Sequence, residues 1–95
     1  MKLIEVIHNI STLSEEAIIF AERINGEFTS NSEAKSLELT DAELSMQLTE
    51  FAKLKAPGKE YFLEVSIIAE MVGGLDANSI DKMIDRIIYY AENDA

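Results

Sequence analysis

The chain has 95 residues, 47% hydrophobic and 27% charged, with Asp+Glu 18 against Lys+Arg 8 and a formal net charge of -10. That length supports a single hydrophobic core, so one domain spanning 1–95 is expected, and the composition is that of a chain that folds rather than stays disordered. With no cysteine there are no disulfides, thiol nucleophiles or thiolate metal sites, a lone His8 leaves no Cys/His metal constellation and no ordinary Ser-His or Cys-His triad, and the anionic field repels nucleic-acid phosphates and anionic lipid.

In chain order, "KLIEVIHNI" places Leu3, Ile7 and Ile10 at helical spacing with Val6 beside them, which predicts a short amphipathic helix with His8 solvated on its polar side. "STLSEEAIIFAERING" has two readings. As a helix it has Ser14 as N-cap, Glu15 and Glu16 at the positive end and Gly26 as its close. As a strand it has Ile18, Phe20 and Ile24 alternating with Ile19, Ala21 and Arg23, followed by Asn25-Gly26, a strong two-residue hairpin signal. We take the strand. "SNSEAKSLELT" then reads as its antiparallel partner, with Ala34, Ser36 and Glu38 alternating against Lys35, Leu37 and Leu39.

"TDAELSMQLTEFAKLK" opens on Thr40 and Glu43 at capping-box spacing, predicting a helix from that point with Leu44, Leu48, Phe51 and Leu54 as its buried stripe. Pro57 ends it, and Lys53, Lys55 and Lys59 form a local basic spot that suits the negative end of a helix. "GKEYFLEVSIIAEMVGG" is the densest apolar run, yet it carries three glutamates. Read as one helix over 59–72, it gathers Glu60, Glu64 and Glu70 on one arc together with Leu63, Ile67 and Met71, opposite Tyr61, Val65, Ile68 and Val72. The alternative is a strand "EYFLEV" with Tyr61, Leu63 and Val65 inward, then a short helix from Ser66; Gly73-Gly74 stops the helix in either case. Finally, "DANSIDKMIDRIIYYAENDA" puts Ile80, Met83, Ile84, Ile87 and Ala91 on one face of a helix capped by Asp76 or Asn78, with Glu92 and Asp94 at its unfavourable negative end.

The fold class these elements predict is α+β: a small antiparallel β-hairpin, or three strands where "EYFLEV" joins it, packed with three to four helices. No stretch reaches the roughly 20 apolar residues of a membrane span, and "MKLIEVIHNI" has neither the h-region nor the cleavage site of a signal peptide, so no membrane association is expected and a cytoplasmic location is the simplest.

The blocks "AIIFAER", "NSEAKSLEL", "EYFLEVSIIAEM" and "IIYYAENDA" resemble a family of small, acidic, largely uncharacterised bacterial proteins whose members look like "AxxYAExxW…SEA…YFLEV…YAxNDA". The resemblance implies a strand in the first block. It also implies an origin of the kind found on mobile gene cassettes or beside toxins, where immunity-like proteins occur. In the family an aromatic with proline neighbours follows that strand, whereas "INGEFTSN" stands there in this chain. The positions carried across are Glu22, Ser32, Glu33, Tyr61, Phe62, Glu64, Asn93 and Asp94.

These features lead to a non-enzymatic acidic interaction module, immunity-like or inhibitory, that binds a basic protein partner. Its expected interface is the arc Glu60, Leu63, Glu64, Ile67, Glu70 and Met71, which has an apolar centre and a charged border. Self-association through that arc, as a homodimer, is the other use of such a surface. The alternative class is a small ligand-binding or carboxylate-using enzyme domain built on Glu22 and Glu33 with Tyr61 nearby. No cofactor, no metal and no nucleic acid are expected; the one basic cluster lacks interleaved aromatics.

Overall fold

A computed structural model describes residues 1–93. Its elements in order are α1 (Leu3–His8), β1 (Ile18–Ala21), β2 (Ala34–Leu37), α2 (Leu48–Lys55), β3 (Glu60–Glu64), α3 (Val65–Val72) and α4 (Ala77–Asn93), with short 3-10 turns at Ile10–Thr12 and Glu43–Ser45. The result is the predicted α+β fold, with the sheet completed to three antiparallel strands in the order β2-β1-β3.

β1 organises the molecule. Ile19, Phe20 and Ala21 are fully buried, so both hydrogen-bonding edges of this strand need partners, since a buried, unpaired N–H or C=O costs as much as a lost hydrogen bond. β2 supplies one edge, with Ile18 opposite Leu37 and Ala21 opposite Ala34. Asn25 (φ 54°) and Gly26 (φ 84°) form the tight turn their dipeptide predicts. That turn closes only Ile24 onto Glu27, bonded in both directions at 2.7 and 3.1 Å. The chain then makes a second excursion before β2, burying Phe28 edge-on against Phe62 with ring centroids 5.1 Å apart.

β3 supplies the other edge, so residues 60–64 are strand and the continuous helix over 59–72 does not form. The physical reason is non-local: these residues are recruited to the free edge of β1, a demand that helical periodicity within the segment cannot report. Between the pairs Ile19–Leu63 and Phe20–Tyr61 the register shifts, leaving Phe62 as an extra residue. This β-bulge turns two consecutive side chains, Phe62 and Leu63, into the same core. α3 then begins at Val65 and lasts only two turns before Gly73 and Gly74, the latter at φ 77°.

The sheet has a core on each face. Ile19, Ala21, Ala34, Phe62 and Leu63 face α1, α3 and α4, joined by Leu3, Ile7, Ile68, Ile80 and Ile87. Ile18, Phe20, Leu37 and Tyr61 face α2, which contributes Phe51 and Ala52, joined by Ala56 just past its end. α1 and α4 carry the apolar faces their periodicity predicts, except that His8 is not simply solvated: its Nε2 lies 2.6 Å from an Asp81 carboxylate oxygen on α4.

The region from Thr40 to Lys55 departs from expectation. Thr40 and Glu43 do exchange the two bonds of a capping box, at 2.9 and 3.3 Å, but what they open is the 3-10 turn at Glu43–Ser45. Met46 and Gln47 are extended, and α2 starts afresh at Leu48. The expected stripe is broken accordingly: Phe51 is buried, whereas Leu44 and Leu54 are 66% and 68% exposed and Leu48 is half-exposed.

Asp76 caps α4, accepting the Ser79 N–H at 2.8 Å, and this bond holds its carboxyl below the usual aspartate range. A carboxyl whose folded pKa is depressed stabilises the fold above its unfolded value of about 3.9 and loses that contribution as pH falls through the folded value. Asp76→Ala is therefore expected to lower the Tm at neutral pH, with the gap to the parent closing as the pH drops below the aspartate range. Thermal melts across that window check it.

Candidate interaction surface

The arc predicted for the interface is dispersed by the strand. Leu63 is 0% exposed and packs wholly inside its own chain, while Ile67 and Met71 are half-buried against the same core. Glu60 and Glu64 sit at the two ends of β3 and Glu70 on α3, all exposed. The oily row between carboxylates is therefore not a free surface, and the self-association built on it loses its apolar centre.

The two glutamates of the alternative class are joined through their backbones, and each carboxylate finds a different partner. The Glu22 N–H donates to the Glu33 carbonyl at 2.9 Å, and the Glu33 N–H donates to a Glu22 carboxylate oxygen at 3.3 Å. The Glu33 carboxylate also lies 3.5 Å from the N-terminal ammonium, where Lys2 bridges to Glu33 at the outer edge of the sheet. Tyr61 pairs instead with Phe20 on the other side of β1 and makes no side-chain hydrogen bond to either glutamate among the described residues.

Of the other carried positions, Ser32, Phe62 and Asn93 have structural roles. Ser32 is fully buried; its Oγ accepts the Thr29 N–H at 2.9 Å and its carbonyl accepts the Leu3 N–H at 2.8 Å, tying the excursion before β2 to the start of the chain. Phe62 is the bulge residue. Asn93 donates to the Tyr89 carbonyl at 3.0 Å near the end of α4, and Asp94 lies outside the described residues.

A different surface emerges where the Asn25-Gly26 hairpin meets the last turns of α4. Arg23 joins the two. Its Nε donates to Glu60 at 3.0 Å, its Nη1 donates to Glu92 at 2.6 Å and to the Gly26 carbonyl at 3.2 Å, and the guanidinium lies 4.1 Å from the centre of the Phe28 ring. The Glu92 bond is the largest influence raising the Arg23 pKa, opposed by the desolvation of partial burial. It also offsets the unfavourable placing of Glu92 at the negative end of α4.

Beside this junction runs an open groove of about 300 Å³, lined by Glu27, Phe28, Asp85, Ile88, Tyr89 and Glu92. Arg23 neutralises Glu92, whereas Glu27 and Asp85 have no ion-pair partner among the described residues. Tyr89 stands 64% exposed among them. Asp85, Tyr89 and Glu92 share a face of α4 because they fall at i, i+4 and i+7. That spacing is visible in the sequence, where an aromatic on the polar side of an amphipathic helix was the available signal. Their approach to Glu27 depends on tertiary folding.

Among the described residues no group of three His, Asp or Glu side chains is placed to hold a metal ion, and no helix is long and apolar enough to cross a membrane. Compared with known proteins, the chain matches no family model, no curated protein and no solved structure.

Proposed function

We propose that the protein is a non-enzymatic acidic interaction module, immunity-like or inhibitory in kind, that binds a basic protein partner through the groove between the hairpin and α4. The observation that carries this reading is the exposed Tyr89 lining one groove with two unpaired carboxylates, Glu27 and Asp85, and with the apolar Phe28 and Ile88. An arginine or lysine from a partner lies over the phenol ring and reaches a carboxylate on either side, combining cation–π attraction with charge-assisted hydrogen bonds. Tyrosines in such settings are frequent hot spots. The net charge of -10 steers a cationic surface toward the molecule and sets the sign of the partner.

Tyr89→Ala and Asp85→Lys alter exposed side chains and leave the Arg23 junction in place. Each is expected to weaken binding of a hexa-arginine peptide by about tenfold, equivalent to about 1.4 kcal/mol. Amide chemical shifts in the parent should move at Glu27, Asp85, Tyr89 and Asn93, with affinity falling as salt is raised. Shifts spread evenly over all the acidic surface, or affinity indifferent to both substitutions, would remove the groove as the binding site.

A further inference from the structure

A second recess lies on the opposite side of β3, where α2 and the Pro57-Gly58 turn overhang the sheet. We propose that it is a binding site for a small apolar monocarboxylate, its hydrocarbon body between α2 and Tyr61 and its carboxylate between Lys53 and Lys59. The recess encloses about 280 Å³, at the small end of ligand sites, and its surface is mostly apolar. Leu48, Ala52 and Tyr61 supply that apolar surface, with the Thr49 side chain beside them.

The polar groups select the ligand. Lys53 and Lys59 both line this recess and, like most of the eight Lys and Arg side chains, have no ion-pair partner among the described residues. The one carboxylate lining it, Glu60, is bonded to Arg23 at 3.0 Å and so is not committed to the lysines. Burial is the largest influence on the Tyr61 phenol and raises its pKa, and the nearby Glu64 charge acts in the same direction.

The same groups disfavour phosphate. No arginine lines the recess, and the Lys59 N–H is already committed to the Ala56 carbonyl at 3.0 Å inside the turn, where Gly58 has φ 79°. A dianionic phosphate asks for an arginine fork or a cradle of backbone N–H groups. Two point-like ammonium groups over hydrocarbon suit a single carboxylate on an apolar body.

The test titrates 4-phenylbutyrate into the full chain, following amide shifts and heat of binding, with its neutral amide as the comparison. Saturable binding with a Kd on the order of 0.1–1 mM is expected, with shifts at Thr49, Lys53, Gly58 and Tyr61. The amide should bind at least about tenfold more weakly, as should 4-phenylbutyrate to the Lys53→Gln/Lys59→Gln variant. Both substitutions replace exposed or half-exposed side chains, and unchanged circular dichroism confirms that the variant folds. Equal binding of acid and amide, unchanged affinity in the variant, or shifts confined to other parts of the molecule would each overturn the assignment. So would concentration-dependent pairing that covers Leu48 and excludes the ligand. Hexa-arginine binding at the α4 groove is a separate readout, so either site can fail without the other.

Discussion

Leu63→Ala is expected to destabilise the fold by about 2–5 kcal/mol and Phe62→Ala by about 3–5 kcal/mol, each a large part of the roughly 5–15 kcal/mol that holds a domain of this size together. Both side chains are fully buried. Neighbours in an ordinary strand point to opposite faces; here the bulge between Ile19 and Phe20 brings both into one core. Urea unfolding followed by circular dichroism measures both, with Leu54→Ala as a control expected to stay within about 0.5 kcal/mol because that side chain is exposed. If Leu63 belonged to an exposed arc, its truncation would leave the urea midpoint in place and change association instead. A loss below about 1 kcal/mol for Leu63→Ala would return the residue to the surface.

Phe51→Ala is expected to remove about 3 kcal/mol or more from the docking of α2. The helix has eight residues, too few to persist in water without tertiary contacts. Its apolar contacts are Phe51 and Ala52, with Ala56 just past its end, packed on Ile18, Leu37 and Tyr61 of the sheet and on Leu39 beyond it, with the Phe51 and Phe20 rings 5.6 Å apart and tilted by 42°. Because the larger core lies on the other face of the sheet, the loss should be local. Amide exchange should become fast across 48–55 while Ile7, Ile68 and Ile87 keep their protection. Parallel loss of protection throughout the chain would mean that the two faces fold as one unit. The variant should also lose the recess beside Tyr61, since α2 forms one of its walls.

The two candidate sites divide the surface by charge. Lys53, Lys55 and Lys59 cluster around the end of α2, and Lys35 reaches the same place by donating to the Lys55 carbonyl at 3.1 Å. The groove beside Tyr89 lies against the hairpin and α4, where Glu27 and Asp85 are unpaired. A basic partner and a carboxylate ligand would thus meet different faces, and neither site uses the arc that the helical reading of 59–72 assembled.

The elements whose evidence is local were legible in the amino-acid order. α1 and α4 are long or regular enough for apolar spacing to identify their buried faces, Asp76 marks the start of α4, and Asn25-Gly26 adopts the left-handed backbone that a tight hairpin turn requires. The charge excess and the missing cysteines limit the chemistry in the same direct way. Long-range pairing decided the rest. β1 needed a partner on each edge, which settled Glu60–Glu64 as strand rather than helix, and the bulge there sent Tyr61 and Leu63 to opposite faces, against the alternation of the strand reading. Whether Leu44 and Leu54 were buried depended on how much of the sheet's second face a short helix covers, and whether Glu27 approached Tyr89 depended on where the hairpin came to rest on α4. Periodicity records which way a side chain points relative to its neighbours in the chain; it carries no record of what arrives from elsewhere to meet it.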